Sequence, residues 1–326
     1  MDIQKVFFEL AKSKLQPNLR LADVVGELLS VGSDSAYRRI RGEKELTLNE
    51  LASLSRYFNI SLDSIINYES SNILFKYTPL DLNDMKNYYS YMDDLANLFD
   101  SISKSIEKEI YIMALDIPVA HFMPFLDLTL FKIYTWFQSV NKLQITYDEF
   151  VFQLDIPRLS AIYEKIGNAY NQIPSTEIWT INTIEPLIRL LDYYSDLKCF
   201  EKRETLPNLC HQLLQMIGNI ENYTLTEKKS YNRKSVFFRM YLSPVDIIND
   251  FMITKHDGIN VTSIKLYTIN GIFTSNEYFC SEVEKWTKDT MTKSLSLSGS
   301  SSKECFKFFQ EIKNKTNNLL ERFEKM

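Results

Sequence analysis

The sequence predicts a mainly α protein: an N-terminal five-helix bundle, a larger helical region, and a small α+β unit at the end. Glycine (8) and proline (9) are scarce among the 326 residues, and because both interrupt helices, their scarcity favours long helices. Apolar residues recur at the three-four spacing of an amphipathic helix through most of the chain. Only the segment after residue 230 holds runs that are rich in β-branched and aromatic side chains, which are typical of strands.

Four segments are predicted along the chain. They are a bundle at 1–66, a polar linker at 67–74, a helical region at 75–230 and the α+β unit at 231–326. In the helical region we expect helices at about 82–105, 119–137, 159–170, 184–194 and 206–223. In the last segment we expect strands at 236–242, 250–256 and 260–269, turns at Asp257-Gly258 and Asn270-Gly271, and helices at 275–293 and 302–323.

Composition narrows the class of protein. Apolar residues make up 45% and charged residues 24%, which is enough to build a globular core. The net charge of −5 excludes a polycation that coats nucleic acid, so any contact with DNA must be local. The first residues lack a secretory signal, and no apolar window is long enough for a membrane span, so we expect a cytoplasmic protein without membrane contact. The four cysteines show no Cys-x-x-Cys spacing and are expected to be free thiols.

The residues that carry most enzyme chemistry are sparse. His121, His211 and His256 are the only histidines, and they lie too far apart for a His-x-x-x-His metal site. The chain has no glycine-rich phosphate loop and no Gly-x-Ser-x-Gly elbow. We therefore predict no catalytic residue, no metal and no cofactor, and an enzyme is the weakest of three hypotheses.

The helix ends of the N-terminal bundle are marked by specific residues. Helices are expected at 3–14, 21–29 and 34–41, with Ser33 as the N-cap of the third and Gly42 ending it through a positive φ. Thr47 and Glu50 form the pattern of a capping box that opens a fourth helix. Ser61 is expected to cap a fifth helix, which returns Leu62, Ile65 and Ile66 to the core.

The segment from residue 21 to residue 66 resembles a known family. The residues that carry the resemblance are Gly26, Val31-Gly32, Ala36, Ile40, Gly42 and the run FNISLDSII at 58–66. In their spacing this segment, about a fifth of the chain, is similar to the lambda-repressor/Cro-like (XRE-type) helix-turn-helix family of transcriptional regulators. The resemblance implies that helix 34–41 is a recognition helix, which enters the major groove of double-stranded DNA.

The predicted DNA-binding residues lie on this third helix and on the loop after it. Ala36 and Ile40 face the bundle, so the side chains between them are expected to face solvent. The resemblance adds the residues at the start of the helix and two positions that contact the DNA phosphate backbone. Arg38 or Arg41 is the candidate for reading guanine, since arginine offers a planar fork to O6 and N7. Lys44 and Thr47 would contact phosphate. The full predicted set is Ser33, Asp34, Ser35, Tyr37, Arg38, Arg41, Lys44 and Thr47.

A simpler interpretation of these charges stays open. Residues 1–66 contain nine basic and nine acidic residues, so the bundle has no net positive charge (9 − 9 = 0). A cluster such as Arg38, Arg39, Arg41 and Lys44 also occurs on ordinary solvated helix faces with salt bridges. Arg39 in particular is placed to pair with an acid such as Glu27 on the second helix.

Two functional hypotheses follow. The first is a sequence-specific transcriptional regulator that acts as a homodimer, because one such domain reads only one half-site. Its C-terminal region would dimerise and would sense an unknown small molecule or protein. The alternative is an interaction scaffold, whose small N-terminal domain tethers it to DNA or to protein.

Overall fold

The computed structural model describes residues 2–15, 19–58, 60, 62, 65, 73–81, 84–140, 145–266, 269–299 and 302–325. The chain forms two compact units, Met1–Leu74 and Phe75–Met326. Among the described residues, no helix combines the length and the apolar character that a bilayer crossing requires.

Four helices of the N-terminal unit surround a small apolar core. They are α1 (Ile3–Ser13), α2 (Leu21–Leu29), α3 (Ser33–Ile40) and α4 (Leu48–Phe58). Phe7, Val25, Ala36 and Leu54 are fully buried at its centre. Of the predicted fifth helix, Leu62 and Ile65 pack against this core, whereas Ser61 and Ile66 lie outside the described residues, as does the NYESSN stretch of the linker at 67–72.

The third helix begins one residue earlier than predicted. Gly32, not Ser33, is the N-cap, because the Gly32 carbonyl already accepts the first helical hydrogen bond from the Ala36 N–H at 3.0 Å. The predicted stop at Gly42 is confirmed, since this residue has a φ of 79°, while the helix itself ends at Ile40, one residue before the predicted Arg41. The N–H groups of Gly42 and Glu43 donate to the carbonyls of Arg39 and Arg38, which is the Schellman arrangement and satisfies the last carbonyls of the helix.

The C-terminal unit contains both helices and strands along its whole length. Its helices are α5 (Met85–Lys104), α6 (Val119–Phe122), α7 (Leu126–Val140), α8 (Tyr147–Phe152), α9 (Ile156–Tyr170), α10 (Glu185–Asp196), α11 (Thr205–Thr226), α12 (Glu277–Lys293) and α13 (Ser302–Glu324). Its strands are β1 (Lys76–Tyr77), β2 (Lys108–Ala114), β3 (Ser175–Trp179), β4 (Lys228–Tyr231), β5 (Lys234–Leu242), β6 (Phe251–His256), β7 (Ile259–Lys265), β8 (Gly271–Thr274) and β9 (Leu295–Ser296).

The predicted fold class is wrong for this unit. All nine strands belong to one mixed sheet of order β1-β8-β7-β6-β2-β3-β5-β4, with β9 paired to β5, so there is no helical region followed by a separate small α+β unit. Strands β2, β3 and β5 run parallel, and helices cross over between them. The prediction failed because β2 and β3 are short buried strands, which lack the alternation that identifies a half-exposed strand.

Several local predictions are confirmed and one is corrected. The strands expected at 236–242 and 250–256 are β5 and β6, and Asp257 and Gly258 both have positive φ in the two-residue turn that joins β6 to β7. The single helix expected at 119–137 is instead two, α6 and α7. The break holds Pro124, which cannot donate a helical hydrogen bond.

The two faces of the sheet carry different layers. Ile110 and Ile112 of β2 face the large core, which helices α5, α7, α9 and α11 complete. Met113 of β2 and Ile178 of β3 face the other side, in a smaller cluster that Met291 of α12 joins. The strands of the middle of the sheet are therefore covered on both faces.

Candidate nucleic-acid interface

One face of α3 is open to solvent. Asp34, Tyr37, Arg38 and Arg41 follow the i, i+3, i+4, i+7 spacing of neighbours on a helix, and all four are exposed. Tyr37 keeps 42% of its surface accessible, which is high for an aromatic residue. We call these four side chains the α3 face.

The remaining predicted residues lie beside this face. Ser33 is exposed at the helix start, and Lys44 and Thr47 are exposed on the loop between α3 and α4. Ser35 is half-buried, and its hydroxyl accepts a hydrogen bond of 2.6 Å from Arg39 Nη1, so it faces the helix more than the solvent. The structure thus places all the predicted residues on α3 or next to it, and Ser35 is the least accessible of them.

The loop after α3 is held by a residue of α1. The Gln4 side-chain amide donates to the carbonyls of Arg39 at 2.7 Å and Lys44 at 2.8 Å. Its carbonyl oxygen accepts from the Leu46 N–H at 2.9 Å. One side chain therefore satisfies three backbone groups of the segment that carries Lys44, and the sequence analysis missed this role.

Arg39 is a buried structural residue and belongs to no exposed basic patch. Its side chain is 4% exposed, and Nη2 contacts Glu50 Oε1 at 2.6 Å, so its partner is Glu50 and not the predicted Glu27. Glu50 also closes the predicted capping box, which is confirmed: Oε2 accepts from the Thr47 N–H at 2.9 Å, and the Glu50 N–H donates to Thr47 Oγ1 at 3.2 Å. One carboxylate thus ties α3 to the start of α4.

The hydrogen bond from Arg39 is the main cause that lowers the pKa of Glu50, and the bonds from Thr47 add to it against the opposing effect of burial. Because the Thr47 N–H is committed to Glu50, only the Thr47 hydroxyl hydrogen is left to donate to a phosphate.

Glu43 pairs with the arginines of the α3 face. Arg41 donates from Nε and Nη2 to the two Glu43 carboxylate oxygens at 2.6 and 3.0 Å, and Arg38 Nε lies 3.9 Å from Glu43. The hydrogen bond to Glu43 raises the pKa of Arg41, and the same bond lowers the pKa of Glu43. All three side chains are about half exposed, so water screens these pairs and a phosphate or base edge can compete for the guanidinium groups.

Gly26 lies in the last turn of α2, before the chain turns toward α3. A Cβ atom at this position would lie 3.1 Å from the Val31 carbonyl oxygen, and the Val31 N–H donates to the Gly26 carbonyl at 2.9 Å. Glycine therefore avoids crowding at the tight turn that leads from α2 to α3, and no atom of α3 is among the close neighbours of that position.

Comparisons with family models, with curated proteins and with solved structures find no match to this chain. Within the described residues, no group of three or more His, Cys, Asp or Glu side chains is placed to hold a metal ion.

Proposed function

We propose that this protein is a sequence-specific regulator of transcription, which inserts α3 into the major groove of double-stranded DNA. The observation that carries the proposal is the α3 face, where two arginines, a tyrosine and an aspartate stand exposed on one side of a helix. Side chains of these types can reach base edges from a helix in the groove. Lys44 and the Thr47 hydroxyl lie next along the chain and suit phosphate oxygens.

The surroundings of α3 support this role because they hold the helix in place. The Schellman end at Gly42 and the Gln4 contacts hold backbone groups of the helix end and the following loop, and the Arg39–Glu50 pair joins the helix to α4. A rigid scaffold beneath a polar face reduces the ordering cost of binding. We further propose a homodimer that acts in the cytoplasm and reads a palindromic site, with the C-terminal unit joining the copies and responding to an effector.

Selection from random duplex DNA by the full-length protein tests the proposal. We expect one palindromic sequence to be enriched, with affinity that falls as salt rises because phosphate contacts release counterions. Arg38→Ala or Arg41→Ala should relax the preference at one defined base pair and weaken binding to the selected site by about tenfold or more. Lys12→Ala removes an exposed cation from α1 and serves as the charge-matched control, which should retain the preference.

If neither the wild-type protein nor the variants enrich any sequence, the regulator proposal fails and the scaffold alternative replaces it. The proposal also fails if the protein binds all duplexes with similar weak affinity and Lys12→Ala reduces this affinity as much as Arg38→Ala and Arg41→Ala do.

Glu43→Gln is expected to strengthen DNA binding severalfold. The Glu43 carboxylate accepts hydrogen bonds from Arg41 Nε and Nη2 and places a negative charge where the DNA phosphates would lie. The glutamine side chain has the same size and no charge, so it competes less for the guanidinium group. Fluorescence anisotropy with the selected duplex at two salt concentrations measures the change, which should shrink at high salt. Glu45→Gln, an exposed acid two residues away, is the control. A Glu43→Gln protein that binds more weakly than wild type contradicts the prediction.

A further inference from the structure

A cleft of about 400 Å³ lies within the C-terminal unit, between α5 and the antiparallel half of the sheet. On the helix side it is lined by Leu95, Leu98, Phe99 and Ile102, which share one face of α5 at three-four spacing. On the other side it is lined by β2, β6, β7 and β8. This volume is within the range of pockets that hold small organic ligands.

The cleft exists because two rows of the sheet carry small polar residues where the neighbours are large and apolar. The register places Ile112, Met252, Ser263 and Phe273 side by side across four strands. The adjacent row runs through Ile110, Thr254 and Val261. Ser263 and Thr254 leave space below α5 that a leucine or methionine would fill.

The polar groups of the cleft point to a ligand. Thr254 is 5% exposed and lines the cleft, yet in the described part of the chain its hydroxyl has no hydrogen-bond partner, and neither has the hydroxyl of Ser263. A hydroxyl that lines a cleft without a protein partner can both donate to and accept from a bound molecule, so these two groups are suited to a hydrogen bond with a ligand.

The charges of the cleft favour an uncharged ligand. Its single lysine, Lys265, is ion-paired with Asp250 and lies 3.8 Å from Asp116, so its charge is already compensated. Asp94 is exposed at the rim of the cleft and would repel an anion.

We propose that this cleft binds an uncharged, mainly apolar small molecule that carries one hydrogen-bonding group. The apolar body lies against the α5 side chains, and the hydrogen-bonding group meets Thr254 and Ser263. This inference rests on the proposed function in one respect: if the protein is a regulator, the cleft is the site at which the C-terminal unit binds its effector. Ligand binding itself is independent of DNA.

The experiment uses the full-length protein without DNA and two fluorescent probes that differ in charge. N-phenyl-1-naphthylamine is uncharged and has one N–H group, and anilinonaphthalene sulfonate carries similar rings with an added anion. We expect saturable binding of one molecule of the uncharged probe per chain, with about tenfold lower affinity for the sulfonate. A failure of DNA binding leaves this result unchanged, so the two proposals are tested separately.

Two variants that block the cleft test whether the probe binds there. Ser263→Met fills the space from the sheet side, and Leu98→Trp blocks it from α5, where Leu98 is 50% exposed and can be enlarged without disturbing the core. Each should reduce affinity for the uncharged probe by about tenfold or more. Asn260→Met adds similar bulk at an exposed position of the same strand, on its opposite face, and should bind as wild type does.

The proposal is overturned if the uncharged probe does not saturate, if the sulfonate binds as tightly, or if the probe binds the cleft variants as it binds wild type. Should Ser263→Met fail to fold, Leu98→Trp decides the question alone.

Discussion

Glu177→Leu should lower the free energy of unfolding of the C-terminal unit by about 3–5 kcal/mol, the usual loss when one partner of a buried charged network is removed. Glu177 is fully buried in β3, where Oε1 lies 2.8 Å from His121 Nε2 and Oε2 accepts from Trp179 Nε1 at 2.8 Å. The Tyr170 hydroxyl also donates to Oε1. Leucine leaves the Trp179 indole N–H and the His121 ring nitrogen buried without this partner, while the Tyr170 hydroxyl keeps only Ser175 Oγ at 3.2 Å.

A buried lysine lies beside this network. Lys229 is fully buried, its Nζ lies 3.2 Å from the centre of the Tyr170 ring, and it donates to the Tyr170 carbonyl at 2.8 Å. Burial lowers the pKa of Lys229 well below its ordinary value, while the nearby Glu177 carboxylate acts against this. Burial alone would raise the pKa of Glu177, but the charges and hydrogen bonds of its neighbours, led by His121, lower it.

Urea unfolding followed by tryptophan fluorescence measures this change, because Trp136, Trp179 and Trp286 are all in the C-terminal unit. Ile178→Val is the matched control, since it changes the next residue on the opposite face of β3 and typically costs only about 0.5–1.5 kcal/mol. Glu177→Gln keeps one acceptor oxygen and should fall between the two. A Glu177→Leu protein as stable as Ile178→Val shows that this network does not hold the sheet to its helices.

The N-terminal unit was predictable because its signals are local. The positive φ of Gly42 depends on one residue type at one position. Thr47 and Glu50 form hydrogen bonds across one helical turn, so a short window of sequence contains both residues. The predicted partner of Arg39 was wrong because the sequence offers two nearby acids, Glu27 and Glu50. Only the packing of α3 against α4 shows that Glu50 is the one in contact. The exposed α3 face was predictable because Ala36 and Ile40, on the opposite side of the helix, pack against the core.

The C-terminal unit was less predictable because its contacts join distant residues. Glu177 makes β3 look polar, and its buried partners His121, Tyr170 and Lys229 are brought to it only by the crossover connections of the sheet. The cleft is also invisible in the sequence, since it is a gap between α5 and two rows of side chains whose register the sequence does not show.

Arg39→Met is expected to lower the free energy of unfolding of the N-terminal unit by about 2–3 kcal/mol. This loss is smaller than for a fully buried charged pair, because Glu50 keeps some contact with water. Methionine retains the apolar length of the side chain and removes the bonds to Glu50 and to the Ser35 hydroxyl and carbonyl. No tryptophan lies in residues 1–74, so amide hydrogen exchange of α2 and α3 in the full-length protein is the appropriate measurement.

The same variant should also flatten the loss of stability in acid. The pKa of Glu50 is lowered in the folded state, so its contribution is present above its unfolded value of about 4.3 and is lost as the pH falls through the folded value. Without Arg39 the pKa of Glu50 returns toward the unfolded value, and exchange protection should decline less between neutral pH and acid. Arg41→Met is the control, because its pairing with Glu43 is exposed and screened, and it should leave the acid dependence as in wild type. Equal acid dependence in Arg39→Met and wild type would mean that the buried pair between α3 and α4 does not couple to the stability of the unit.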